Sequence, residues 1–314
     1  MIRPEIFAGQ FQEYPKLFPV QDVPKIFTYL PNLKTIYWMV AAVEDLELNN
    51  KVFAEIFPKC SKLKQLGITL EYHDSVENFC DFVEKSSGQL ESLNLTMSRD
   101  VELLQICKIF CTLPSLLKLK RIDLGYHHHL SVTNDQIRSL PNQTSEITIR
   151  EVHLSNPKLE HFHLTFHFIT NVTCLYLTMY RYDRSQWTPD NFINLHLDPL
   201  KKIQYLEIST LQNDQFTITW PTIFKVFPNL ITLIIDWFEN EIEDIPEMKT
   251  MKKLVVKQGL MKRPRMLPKM PNLRHLEMEW STAKEERTSQ IKTIMSYLPS
   301  CCKLFEDGKQ IELN

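Results

Sequence analysis

The sequence predicts an α/β solenoid: a horseshoe of stacked strand–turn–helix units, with a parallel sheet on its concave face and helices and irregular segments on its convex face. Three observations predict it. A short apolar phrase (one apolar residue, two variable, a second apolar, one variable, a third apolar) returns along most of the chain. Outside the middle of the chain, successive copies start between about 20 and 31 residues apart, a period that points to a repeat array. Between copies, several segments carry helical periodicity and end at a proline.

The copies are Leu33, Ile36, Trp38; Leu63, Leu66, Ile68; Leu90, Leu93, Leu95; and Leu119, Ile122, Leu124. They resume as Val172, Leu175, Leu177; Ile203, Leu206, Ile208; Leu230, Leu233, Ile235; Met251, Leu254, Val256; and Leu273, Leu276, Met278. The stretch from 125 to 172 holds two weaker candidates, Ile147-Thr148-Ile149 and Leu159, Phe162, Leu164, and its register stays open. The segment before the strand repeats as well: Val23–Leu33 parallels Trp220–Leu230, and Met270-Pro271-Asn272-Leu273 repeats its ending.

Helical faces are expected at Val76, Phe79, Cys80 and Val83, at Val52, Phe53, Ile56 and Phe57, at Leu103, Cys107, Phe110 and Cys111, and at Ile291, Ile294, Met295 and Leu298. No single unit can bury its own apolar face, but stacked copies cover one another. The second and third apolar residues of the phrase lie two apart and point to one side of the strand, leaving the alternate positions on the other. The expected organisation is one domain over 1–314, with an N-terminal cap at 1–22, repeats over 23–285 and a C-terminal cap at 286–314. Phe305, Ile311 and Leu313 are expected to help close the last open edge.

Composition narrows the function. A net charge of -2 and a pI near 6.6 give no global pull toward nucleic acid or an anionic membrane. Residues 1–5 lack the pattern of a secretory signal, and no apolar run is long enough to span a bilayer. The seven cysteines are scattered and read as reduced core residues, which fits a cytoplasmic or nuclear location. No two of the six glycines fall within twenty residues of each other, which removes the phosphate loop, the dinucleotide fingerprint and the nucleophile elbow together. No cofactor is expected.

On these repeats the chain resembles the leucine-rich-repeat family over about residues 20 to 300, and its irregular, helix-bearing repeats are most similar to those of F-box/leucine-rich-repeat proteins. It departs from the pattern at position nine, where Ala41, Glu71, Ser98 and Phe238 replace asparagine or cysteine, and it shows no clear F-box. The resemblance implies a non-enzymatic protein-binding scaffold that recognises substrates for an SCF-type ubiquitin ligase. A cullin-type adaptor is implied as a further partner where an F-box precedes these residues. An F-box-independent inhibitor or scaffold is the alternative. A metal-dependent enzyme using His161, His163 and His167 is the remote one.

A protein ligand is expected on the concave strand positions. In the N-terminal half these include Tyr37, Asn94, Arg121 and Asp123, with Thr35, Gln65 and Ser92 beside them. The centre offers His161, His163 and Tyr176, the histidines at alternate positions of the strand expected around Phe162. The C-terminal half adds Tyr205, Glu207, Asp236, Lys253, Lys257, His275 and Glu277. Repeat spacing sets Asp236, Lys257 and Glu279 in one row of alternating sign. His127, His128 and His129 read as a solvated loop.

Overall fold

The computed structural model describes residues 7–9, 32–38, 57, 60–70, 73–85, 89–97, 101–126, 136–137, 140, 149–155, 157–179, 197–210, 220–235, 246–257, 264–279 and 284–311. The expectations for 23–31, 52–56, His127–His129, Asp236 and the side chain of Trp38 lie outside these residues. Backbone packing divides the chain into two compact units, Met1–His153 with His167–Asn171, and Leu154–Phe166 with Val172–Asn314.

In the first unit, β1 (Phe7–Gly9), β2 (Thr35–Trp38), β3 (Gln65–Leu70), β4 (Ser92–Met97) and β5 (Arg121–Tyr126) pair in chain order, all parallel. The unit boundary falls within β6 (Glu151–Ser155). In the second unit, β7 (Cys174–Met179), β8 (Tyr205–Thr210), β9 (Thr232–Ile235), β10 (Lys253–Val256), β11 (His275–Met278) and β12 (Lys303–Glu306) follow the same rule. β13 (Lys309–Gln310) then turns back antiparallel on β12. Asp307 and Gly308 carry the tight turn with φ of 44° and 77°, a left-handed geometry that favours such residues.

The strands form where the phrase predicts because its apolar residues stack. Ile36 pairs with Leu66, Leu66 with Leu93 and Leu93 with Ile122; Leu175 pairs with Leu206, Leu206 with Leu233, Leu233 with Leu254 and Leu254 with Leu276. All are buried. Each contributes roughly 1.5–3 kcal/mol by leaving water. The alternate residues stay partly exposed: β4, β6, β9 and β11 all alternate half-buried with buried positions.

Register is fixed at the start of the strands. The carbonyl just before β2, that of Lys34, accepts the N–H groups of both Lys64 and Gln65. The Lys64 carbonyl does the same for Glu91 and Ser92, Glu91 for Lys120 and Arg121, and Lys120 for Arg150 and Glu151. In the second unit Thr173, Gln204, Ile231 and Lys252 repeat the arrangement. The recurring Pro-Asn-Leu acquires a reason here. Asn229 Nδ2 donates to Lys201 O at 2.8 Å, and Asn272 Nδ2 donates to Lys249 O at 2.6 Å, so each asparagine staples its turn to the preceding one.

Between strands lie α1 (His73–Lys85), α2 (Leu103–Thr112), α3 (Leu159–Phe168), α4 (Trp220–Val226) and α5 (Lys284–Tyr297). Short 3-10 segments at Leu113–Ser115, Asp198–Lys202 and Pro264–Lys269 supplement them. α1 buries Val76, Phe79, Cys80 and Val83 as expected. α2 is rotated from its expected face: Ile106, Ile109 and Phe110 are buried with Cys107, whereas Cys111 is exposed. Phe110 stacks on Phe168 with centroids 5.2 Å apart, which fixes that rotation. Cys301 is exposed too, so the reading of the cysteines as core residues holds for Cys60, Cys80 and Cys107 but not for all seven.

The middle of the chain corrects the sequence reading. Leu159, Phe162 and Leu164 belong to α3, not to a strand. The strand of that repeat is β6, and its phrase is Ile149, Val152, Leu154, all fully buried. His161 and His163 therefore leave the strand face. His161 is 1% exposed, and its Nδ1 accepts the Lys158 N–H at 2.9 Å at the helix start. The alternation of Phe162, Leu164, Phe166 and Phe168 imitates a strand, but this helix is buried on several sides and accepts apolar residues nearly all round.

Two outcomes are expected. Leu206→Ala should lower the unfolding free energy by about 2–5 kcal/mol, whereas the exposed Leu104→Ala should stay within about 0.5 kcal/mol, both read by urea unfolding. Burial, reinforced by the Lys158 charge, lowers the pKa of His161 from 6.5 to about 3. The unfolded chain then takes up this proton first as pH falls, so stability is unaffected above 6.5 and declines between 6.5 and about 3. H161L should flatten that decline by up to about 1.4 kcal/mol per pH unit, and identical slopes for the two proteins would refute the assignment.

Candidate functional site

The alternate strand positions, opposite the buried leucine rows and most of them at least partly exposed, form two registered rows in each unit. In the first unit Thr35, Gln65, Ser92 and Arg121 align, and beside them Tyr37, Gly67, Asn94 and Asp123. In the second unit Cys174, Tyr205, Thr232, Lys253, His275 and Lys303 align, next to Tyr176, Glu207, Ile234, Val255, Glu277 and Phe305.

Tyr37 is 40% exposed and lies across Gly67 on the next strand. A Cβ at Gly67 would come within 2.3 Å of the Tyr37 ring, so the glycine is what lets the ring lie flat. Two strands on, Arg121 Nε reaches Asp123 Oδ1 at 3.1 Å and Arg121 Nη1 reaches Glu151 Oε1 at 3.4 Å. His153 completes a closed ring of groups, with Nε2 at 2.6 Å from Glu151 and Nδ1 at 3.4 Å from Asp123. Arg121 and Asp123 were expected; Glu151 and His153 were missed. The signal that could have found them is Ile149-x-x-Val152-x-Leu154, which starts 30 residues after Leu119 and 23 before Val172.

In the second unit Tyr176 and Tyr205 pack with centroids 5.0 Å apart. Tyr205 Oη donates to Glu207 Oε2 at 2.7 Å, and Lys257 Nζ reaches Glu207 Oε1 at 3.3 Å. Burial first, and then the bond to Glu207, push the Tyr205 phenol far above its ordinary pKa, so it stays a donor. Lys257 follows β10 and Glu207 sits on β8, so the lysine stem crosses β9, a span of about 10 Å. In register with Glu207 lie Ile234, half-buried, and Val255, buried, both apolar. The backbone of the expected charge row is in register, with the Lys257 N–H on Ile235 O and the Glu279 N–H on Val256 O, but Asp236 lies outside the described residues.

Near the C-terminal end of this face, His275 Nε2 meets Glu277 Oε2 at 3.1 Å, and Lys253 Nζ stands 3.9 Å from the same oxygen. Phe305 stacks on His275 with centroids 4.0 Å apart and planes 17° from parallel. Phe305 lies on β12, in register with Glu277.

His161, His163 and His167 lie on one helix; the two-residue offset turns His161 away from His163, whereas His163 and His167, four apart, share a face. Among the described residues no group of three or more His, Cys, Asp or Glu is placed to hold a metal ion. No helix among them is long and apolar enough to cross a membrane.

No protein-family model matches the sequence, and no characterised protein sequence matches it. The structure is similar to the crystal structure of the leucine-rich repeat-containing protein LegL7 from Legionella pneumophila, with a TM-score of 0.54 and 13% identity, covering 95% of this chain and 91% of that one. At that identity the likeness is one of architecture, and together with the strand order and the buried leucine rows it makes this chain a leucine-rich-repeat protein by fold.

Proposed function

We propose that the chain is a non-enzymatic protein-binding scaffold whose ligand lies on the half-exposed strand residues. The leucine-rich-repeat fold itself suggests a protein-binding role. The observation that carries the placement is the side-chain order on that face: aromatic rings and charged groups hold one another in place before any partner arrives. Preorganised groups lose less entropy on binding than mobile ones, and tyrosine and arginine are the residues most often dominant at interfaces.

The finer reading follows the repeat resemblance: a substrate-recognition subunit of an SCF-type ubiquitin ligase. Free cysteines, three of them buried, fit the reducing cytoplasm or nucleus where such assemblies work. Copurification of cullin-ligase subunits supports that reading, and a stoichiometric complex lacking them replaces it with an F-box-independent scaffold or inhibitor.

The test is affinity capture on the full chain with quantitative mass spectrometry. Tyr37→Ser with Arg121→Ala, and separately Tyr176→Ser with Lys253→Ala, should each reduce a retained partner about tenfold or more, which corresponds to about 1.4 kcal/mol. Lys225→Ala with Lys292→Ala, both on exposed helix positions, should leave it unchanged. Loss with the helix pair and retention with both strand-face pairs would move the ligand off this face.

A further inference from the structure

In the first unit, the residues whose carbonyls set the strand register also form a charged row. They are Lys34, Lys64, Glu91, Lys120 and Arg150, all at least partly exposed. Backbone bonds join each directly to the next, so they stand one strand spacing apart, about 4.8 Å. The turns just ahead of them add the exposed Lys62 and Lys118. Among the described residues of these turns, Glu91 is the one acid. Like charges stacked at this spacing oppose folding rather than help it, and around the single Lys64–Glu91 pair the other charges of the row share one sign.

The row already holds one carboxylate. Lys64 Nζ contacts Glu91 Oε1 at 2.6 Å. The Lys64 hydrogen bond and charge, with Lys120 and Lys118 adding, keep the Glu91 carboxyl below its ordinary pKa.

We infer that this strand-start edge docks an extended acidic segment of a partner protein, whose carboxylates seat between successive basic side chains as that of Glu91 does. From Lys34 to Arg150 the row covers about four strand spacings, or roughly 19 Å, the length of about six extended residues. The described residues of the row include no aromatic on which a nucleic-acid base could stack, and this favours a carboxylate chain over a single-stranded nucleic acid. The inference rests on the protein-binding reading for the class of partner, but it uses a surface separate from the Tyr37 and Tyr176 patches.

The probe is a dye-labelled oligoglutamate of about ten residues, titrated with the full chain and followed by fluorescence anisotropy. Saturable binding is expected at about 50 mM salt, weakening about tenfold or more near 300 mM. Lys34→Glu with Lys120→Glu should weaken it about tenfold, whereas Lys225→Glu with Lys292→Glu should change it less than about twofold. Glu91→Gln removes the resident carboxylate and should tighten binding by about threefold, and no change or a weakening would count against the row as the docking edge. Circular dichroism melts confirm that each variant is folded. No saturable binding at low salt, equal losses from both charge-reversal pairs, or tighter binding of oligouridylate or phosphatidylserine vesicles by the same lysines would each overturn the inference. Tyr37→Ser and Tyr176→Ser should leave oligoglutamate binding intact. An oligoglutamate failure with the strand-face partner still captured therefore sinks the edge alone, and the converse result sinks the strand face alone.

Discussion

Before eight of the described strands one carbonyl takes two N–H groups from the next repeat, and the sheet is organised around that bond pair. The buried leucines supply most of the driving force, but hydrophobic burial has no direction. A one-residue slip between strands would send every leucine to solvent and every polar side chain to the core. The paired bonds at Lys34, Lys64, Glu91 and Lys120, and again at Thr173, Gln204, Ile231 and Lys252, forbid that slip repeat by repeat. Asn229 and Asn272 tie the preceding turns to the same frame.

The outward face inherits its order from this register. Because Arg121 and Asp123 are two apart on one strand and Glu151 and His153 two apart on the next, their heads meet in a closed ring. Pairs this exposed contribute little to stability individually, typically about 0–1 kcal/mol. Their physical effect is to restrict rotamers on a surface where a floppy side chain would have to be ordered by the ligand. The Lys257–Glu207 contact likewise holds two long side chains in place on the second unit's face.

The fold was legible because the spacing of leucines is dictated by stacking alone. Register and strand identity of nine repeats, and the inward-facing residues of eight, could be read off that spacing, together with the strand positions of most outward candidates, Tyr205, Glu207, His275 and Glu277 among them. The middle repeat was not legible for a specific reason. Phe162 to Phe168 alternates with period two, the signature of a strand, in a segment whose packing on several sides makes a helix the better solution. That error misplaced His161 and His163 and hid Glu151 and His153. The rotation of α2 depended on Phe168, more than fifty residues away, and the His275–Phe305 stack on a partner beyond the last recognised phrase. Neither leaves a local trace. The basic row stands at a fixed offset from each leading apolar residue, one position before the outward strand residues, where the strand alternation assigns no face.

The hairpin at Asp307 and Gly308 bears on how these molecules behave when concentrated. Parallel ladders of identical repeats are natural templates for fibres, since an uncovered last strand presents bonding groups of the right polarity to another copy. Here β13 is two residues long, with both side chains exposed, and runs antiparallel to β12. β13 occupies bonding groups of β12 that a further parallel strand would use, so addition of another copy's strand at that edge of β12 is disfavoured.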